Sequence, residues 1–320
     1  MIIKILLWLL FSVLTLVILT TVTAFICFMK VFYIPPRKEP NPDEYPMPPG
    51  EIYEPYREMM TEWVKSIRSM QREFMEITSH DGLKLTGVYY ECKKGAPLEI
   101  LFHGYKGNAE RDLSGAVERC FAIGRNALIV NQRASADSEG NVVTFGILER
   151  KDCLSWIDFA IEHFGTDTKI ILTGVSMGAA TVMMAAGEEL PKNVVCVLAD
   201  CGYTSAKEII KKVIRDMRLP DTLLYPFVKL GARLFGGFDL EETSPLEAMK
   251  KSKVPIIFIH GDTDDFVPFY MSEELYGACT SEHKRLVAVE GAGHGVAYPK
   301  NKELYLDSLR DFENKCGFLK

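Results

Sequence analysis

Histidine and cysteine are sparse and scattered in this sequence. Six histidines and eight cysteines are spread over 320 residues, with no C-x-x-C, no H-E-x-x-H and no His/Cys group at zinc-site spacing. A Walker-type phosphate loop and a strand–GxGxxG–helix unit are also missing, so neither a metal nor a diffusible cofactor is implied. Basic charge is not in excess: 37 Lys/Arg stand against 43 Asp/Glu, and a net charge of −6 repels phosphate, so no nucleic-acid partner is expected. With 24 glycines and 16 prolines the chain is neither collagen-like nor of low complexity, and 48% hydrophobic residues exclude disorder. The cysteines read as free thiols, Cys196 as a buried one inside the apolar run from Val194 to Leu198.

What stands out is one long apolar run. Between Lys4 and Lys30 lie 25 uncharged residues, Ile5 to Met29, of which 20 are apolar. As a helix this run rises about 37 Å, enough to cross a hydrocarbon core about 30 Å thick. A cleaved signal peptide competes, since Val22-Thr23-Ala24 is a passable cleavage site. A signal core of about 7–15 residues is far shorter, and the run reads as an uncleaved single-pass anchor placing residues 5–29 in the lipid bilayer. Lys4 faces Lys30, Arg37 and Lys38 across the span, too even a balance to set the side of the membrane.

The chain then divides into a membrane anchor over 1–33, a Pro-rich linker over 34–52 and a folded domain over 53–320. Seven prolines fall between Ile34 and Gly50, which predicts a stiff, extended spacer lifting the domain off the membrane. Met60, Trp63, Ile67, Met70 and Phe74 recur at 3–4 spacing, which predicts one amphipathic helix from Tyr53 to Phe74. A His80-Asp81-Gly82 turn joins two hairpin strands. Short, non-alternating apolar runs follow, ending near Phe102, Val130, Thr173, Leu198, Ile259 and Val289, each separated by helical sequence. This alternation predicts an α/β fold with a mostly parallel central sheet covered by helices on both faces. Between Asp200 and Pro255 lie 54 residues, more than a crossover helix needs, so a helical insertion is expected over about 206–238. Its Leu223, Leu224, Phe227, Leu230 and Leu234 suit either a lid over an acyl pocket or plain packed helices.

The chemistry begins at Gly174-Val175-Ser176-Met177-Gly178, a G-x-S-x-G between a strand and a small-residue helix. Such a turn holds a serine hydroxyl above the sheet at a helix N-terminus, where negative charge is favoured. A serine needs a base, best an imidazole, and the imidazole needs a carboxylate to orient it. The loop His260-Gly261-Asp262-Thr263-Asp264-Asp265 follows one strand and Gly291-Ala292-Gly293-His294-Gly295 the next, both at the carboxyl edge of the sheet. His294 is the expected base, while spacing alone leaves Asp262, Asp264 and Asp265 open as its partner. The expected oxyanion donors are the N–H of Met177 and the N–H of Tyr105, in the loop from His103 to Asn108. His103 reads as a structural turn residue, and His163 and His283 as surface residues.

Together HGYKGN (103–108), NQRASADSEG (131–140), GVSMGAA (174–180), HGDTDDFVP (260–268) and GAGHG (291–295) resemble the α/β-hydrolases. The likeness is to bacterial membrane-anchored serine hydrolases related to serine aminopeptidases, prolyl-oligopeptidase-like hydrolases and monoacylglycerol lipases, over about Glu76 to Phe312. That resemblance implies the α/β-hydrolase fold with a cap and places the acid at the fifth position of H-G-x-x-D-x-x-V-P, which is Asp264. It implies a catalytic triad of Ser176, Asp264 and His294. The family's Arg-Gly-His-Gly-x-Ser-x-Gly loop is only partly kept, with Ala134-Ser135-Ala136 in place of Gly-His-Gly. The expected substrate is a small-molecule or lipid acyl ester. Peptide or thioester cleavage on the same triad is the alternative, and a catalytically silent membrane scaffold a weaker one. Nothing in the sequence indicates an oligomeric state.

Overall fold

The computed structural model describes residues 1–36 and 43–317. The first helix, α1 (Ile2–Val31), is long and apolar enough to cross a membrane, and its residues up to Leu19 are all exposed. A single 3₁₀ turn (Glu51–Tyr56) leads into α2 (Arg57–Ser69). Then come β1 (Glu73–Thr78), β2 (Lys84–Tyr90), β3 (Leu98–Phe102), α3 (Ala109–Ala122), β4 (Asn126–Val130) and α4 (Glu149–Phe164). Next follow β5 (Ile170–Val175), α5 (Met177–Ala185) and β6 (Val194–Asp200). The insertion contains α6 (Ala206–Asp216), α7 (Asp221–Gly231) and a π-helical turn (Ala232–Gly236). The chain closes with α8 (Pro245–Met249), β7 (Ile256–Gly261), α9 (Tyr270–Ala278), β8 (Lys284–Val289), α10 (Ala297–Lys300) and α11 (Lys302–Cys316).

The eight strands form one sheet in the order β1-β2-β4-β3-β5-β6-β7-β8. β2 pairs antiparallel with β1 and β4, and every pairing from β4 to β8 is parallel. β3, β4 and β7 are buried along their whole length, as strands covered on both faces must be. All eight cysteines are free thiols, and Cys196 is buried as expected.

Two expectations need correcting. The amphipathic helix stops at Ser69, and Phe74 lies on β1 opposite Val88, 74% exposed. There Met75 and Ile77 alternate inward against β2, so tertiary pairing overrides the helical spacing. Among the described residues, the start of the expected spacer is not free but docked on the domain. Phe32 is fully buried against Phe145 and Phe238, Tyr33 bridges Val142, and the Ile34 N–H donates to the Asn141 carbonyl at 2.8 Å. Of the Pro-rich stretch, residues 37–42 lie outside the described residues, while Pro48 and Pro49 sit at the rim of the hollow described below. An apolar segment adjoining an apolar surface buries itself rather than remaining extended in water.

The insertion resolves into two differently placed helices. α6 turns Ile209, Ile210 and Ile214 into the core. α7 packs along the last turns of α1, where a Cβ on Gly231 would come within 2.4 Å of the Ala24 carbonyl oxygen.

Candidate active site

Ser176 sits between β5 and α5 with φ 57° and ψ −115°, a left-handed conformation that L-residues adopt only under constraint. The constraint is close backbone packing: a Cβ on Gly174 would lie 2.1 Å from the carbonyl of Gly178, and one on Gly178 would lie 2.0 Å from the Phe102 carbonyl oxygen. Only glycine at both positions lets the helix begin this close to β3 and β5. The Ser176 N–H donates to the Asp200 carbonyl at 2.8 Å, tying the turn to β6.

β7 and β8 deliver the partners. His294 Nε2 lies 3.0 Å from Ser176 Oγ, and its Nδ1 lies 2.7 Å from Asp264 Oδ2. A carboxylate accepts, so Nδ1 carries the proton and a neutral imidazole presents the Nε2 lone pair to the hydroxyl. The other Asp264 oxygen accepts the N–H groups of Phe266 at 2.9 Å and Val267 at 2.8 Å. Burial pushes the Asp264 carboxyl up, but hydrogen bonds from His260 and His294 outweigh it and hold the group at about 2. Asp262 instead accepts the Gly291 N–H at 2.7 Å, and Asp265 is exposed.

His260 is a member of this constellation that sequence reasoning passed over. Its Nε2 approaches the Val267 carbonyl at 2.8 Å and Asp264 Oδ2 at 3.1 Å, so Nε2 is the donor, while Nδ1 meets the Ser272 hydroxyl at 2.6 Å. His260 lies at the end of β7 and opens the H-G-x-x-D-x-x-V-P pattern, which marks its position but not its bond to Asp264. His103 lies elsewhere: its Nδ1 contacts its neighbour's carbonyl, Gly104 O, at 2.8 Å, and its Nε2 accepts the Gln132 N–H at 3.1 Å. That ring shapes the start of the 103–108 loop. His163 and His283 are exposed.

Tyr105 and Met177 flank Ser176, the first on the loop after β3 and the second at the start of α5. A hollow of about 340 Å³ opens beside Ser176 and His294, walled by Ile52, Tyr53, Met60, Tyr105, Val175 and Phe266. Ile52 and Tyr53 come from the segment expected to be spacer and domain edge. Gly293 makes room for them, because a Cβ there would meet Ile52 Cδ1 at 1.9 Å. A larger hollow of about 770 Å³ lies at the amino edge of the sheet around Leu98, Asn126 and Lys169, away from these groups.

Two clusters bring metal-ligating types together among the described residues. One joins Cys201 to Asp264 and His294, and burial pushes the Cys201 thiol far up, so it stays protonated. The other, His80, Asp81 and Asp152, already holds the Arg133 guanidinium at 2.6 Å from Asp152 and 2.9 Å from Asp81. A cation would have to displace that arginine.

A mostly parallel sheet with a strained serine between strand and helix, and an Asp–His pair delivered by the loops after β7 and β8, defines an α/β-hydrolase. The prolyl oligopeptidase family model matches residues 145–317, more than half the chain, and the chain belongs to that family; it is a hydrolase. It is 28% identical over 249 residues to the protein YqkD of Bacillus subtilis, across 78% of this chain and 81% of that one. The membrane protein YNL320W of Saccharomyces cerevisiae is 24% identical over 204 residues, across 62% of this chain and 63% of its own. Among solved structures, the Pyrococcus furiosus esterase Pf2001 superposes with a TM-score of 0.64 at 23% identity, covering 78% of this chain and 93% of that one.

Proposed function

We propose that the protein is a membrane-tethered serine hydrolase that cleaves carboxylic esters. The observation that carries this reading is the unbroken line from Ser176 Oγ through His294 to Asp264, at 3.0 and 2.7 Å. Ser176 attacks the acyl carbonyl as His294 takes its proton, and the N–H groups of Tyr105 and Met177 receive the oxyanion. His294 returns the proton to the departing alcohol. Water, activated by the same imidazole, then releases the acid and restores the serine. Asp264 holds the imidazole in the required tautomer throughout.

Ester cleavage is supported by the apolar walls of the hollow and by the esterase name of the Pf2001 neighbour. Tethering is supported by α1 and by the membrane designation of YNL320W. In this reading residues 1–33 anchor a hydrolase domain over 53–320, and 34–52 joins them. A serine peptidase is the second reading, favoured by the family match itself.

Labelling by a fluorophosphonate probe tests the mechanism: wild type is labelled and Ser176→Ala is not. Equal labelling of both proteins rejects the serine assignment. A series of acyl esters of rising chain length, run beside aminoacyl amides, separates esterase from peptidase.

A further inference from the structure

α7 has an unusual surface for a helix on a water-soluble domain. Its sequence Asp221–Gly231 is apolar nearly all round, and only Tyr225, Val228 and Gly231 turn fully inward. On the outer side Leu223 and Pro226 are exposed and Phe227 and Leu230 half-buried, at positions i, i+3, i+4 and i+7, and Leu234 is exposed on the π-turn that follows. A helix facing water on that side would carry charge there; a helix apolar on every side is enclosed by protein or by lipid.

Its neighbour identifies the enclosing phase. α7 and the π-turn pack against α1 from Thr20 to Val31, where Thr20, Thr23, Ala24, Cys27, Phe28 and Val31 are the covered residues. The uncovered side of that same stretch carries Val22, Phe25, Ile26 and Met29, which are 36–54% exposed. Phe235 lies edge-on to Phe25, ring centres 5.1 Å apart, so the outer surfaces of α1 and the cap are continuous. Depth follows from length. About 20 helical residues fill a hydrocarbon core, and counting from Ile5 brings its boundary to Ala24, the residue against Gly231. Whatever surrounds Phe25 and Ile26 therefore also surrounds Leu234 and Phe235.

We propose that α7 and the π-turn are a second membrane-contacting element, seated at the acyl–headgroup boundary of the bilayer that α1 crosses. The occupant of the stripe is lipid rather than a protein partner, because its surface runs without a break onto a span that only lipid can cover over 27 Å or so of exposed helix. Lys229 and Arg233, held in surface pairs with Glu241 and Asp239, stand beside the stripe where basic side chains meet phosphate headgroups. This inference rests on the tethered reading of α1.

The test uses the full chain in vesicles of phosphatidylcholine whose acyl chains are brominated near the headgroup. In wild type, Trp8 on α1 reports the span, with Trp63 and Trp156 buried in the domain. Leu223→Trp and Leu234→Trp, made in a Trp8→Phe background, report the cap, and Lys94→Trp reports the amino edge of the sheet. The cap variants are expected to lose roughly half or more of their added emission to the brominated lipid while Lys94→Trp keeps its own. Quenching of Trp8 without quenching at the two cap positions overturns this inference and leaves the tether standing. No quenching of Trp8 overturns the tether and the inference together. Equal quenching at Lys94→Trp also overturns it, since that indicates adsorption without orientation.

Discussion

The hydroxyl of Tyr105 donates a 2.5 Å hydrogen bond to the carbonyl oxygen of Val31, the last residue of α1. The final carbonyls of a helix have no partner within it, and here the loop after β3 supplies two: Lys106 Nζ also reaches the Lys30 carbonyl at 3.0 Å. Lys106 itself holds a left-handed φ of 51°. The loop assigned to the oxyanion is thus clamped to the foot of the apolar helix.

Tyr105→Phe keeps the ring and the backbone N–H and removes one of the two bonds of the clamp, leaving that of Lys106. A net hydrogen bond is worth about 1 kcal/mol, so kcat on a short soluble ester is expected to fall about five-fold with KM nearly unchanged. A steady-state comparison checks it, and an unchanged kcat shows that ring packing and the Lys106 bond together position the loop.

Asp264→Asn removes the acceptor that selects the His294 tautomer. By the behaviour of such triads kcat should fall by about four orders of magnitude while the fold survives. The wild-type carboxyl lies at about 2, so it stays ionised across the working pH range and sets no acid limb near neutrality. His260→Ala, which takes away one hydrogen bond to the same oxygen, should cost less than Asp264→Asn in the same assay.

Glu99 is fully buried between Arg119 and Arg125, the latter at 2.6 Å, and accepts from Thr173 Oγ1 at 2.6 Å. Glu99→Ala takes the buried carboxylate from Arg119 and one of two carboxylates from Arg125, which keeps Glu313, and should destabilise the protein by about 3–5 kcal/mol in thermal or chemical unfolding. Burial pushes this carboxyl up, yet Arg119 and Arg125 outweigh it and hold it at about 2. Its folded value lies below the unfolded value of about 4.3, so its contribution is complete above that pH and is lost as pH falls through about 2. Glu99→Gln should flatten that acid limb.

The same substitution should act with opposite sign on two helices. At Gly231 a Cβ meets the Ala24 carbonyl at 2.4 Å, so Gly231→Ala should push α1 from α7 and cost about 1–3 kcal/mol. Gly277 in α9 has nothing within 4 Å, and Gly277→Ala should add about 0.5–1 kcal/mol through helix propensity. Melting temperatures of the two variants in detergent decide the matter.

Much of the fold was legible because each signal was local. Buried parallel strands announce themselves as short apolar runs, and glycines two positions either side of Ser176 mark a turn that no side chain there would allow. The order of serine, acid and histidine could be read along the chain because each follows its own strand. Phe74 misled, since a strand edge pairing with β2 leaves its helical spacing intact in the sequence. His260 was marked only as the first residue of the pattern that places Asp264, and nothing in the sequence points Ile52 or Tyr53 to the site.

The sequence by itself determined most of the strands, turns and helices, the long apolar helix among them, because those depend on residues a few positions apart. It also determined the chemical types set at the carboxyl edge. Only the tertiary structure decided that residue 31 would meet 105, that 24 would meet 231, and that 52 would fill the space left by Gly293. These are contacts between surfaces brought together by folding, and their physical basis is steric fit and unpaired backbone groups, which no periodicity records. The run from 5 to 29 could be recognised from composition as a helix long and apolar enough to cross a membrane; that its last turns pack against the loop after β3 is a property of packing.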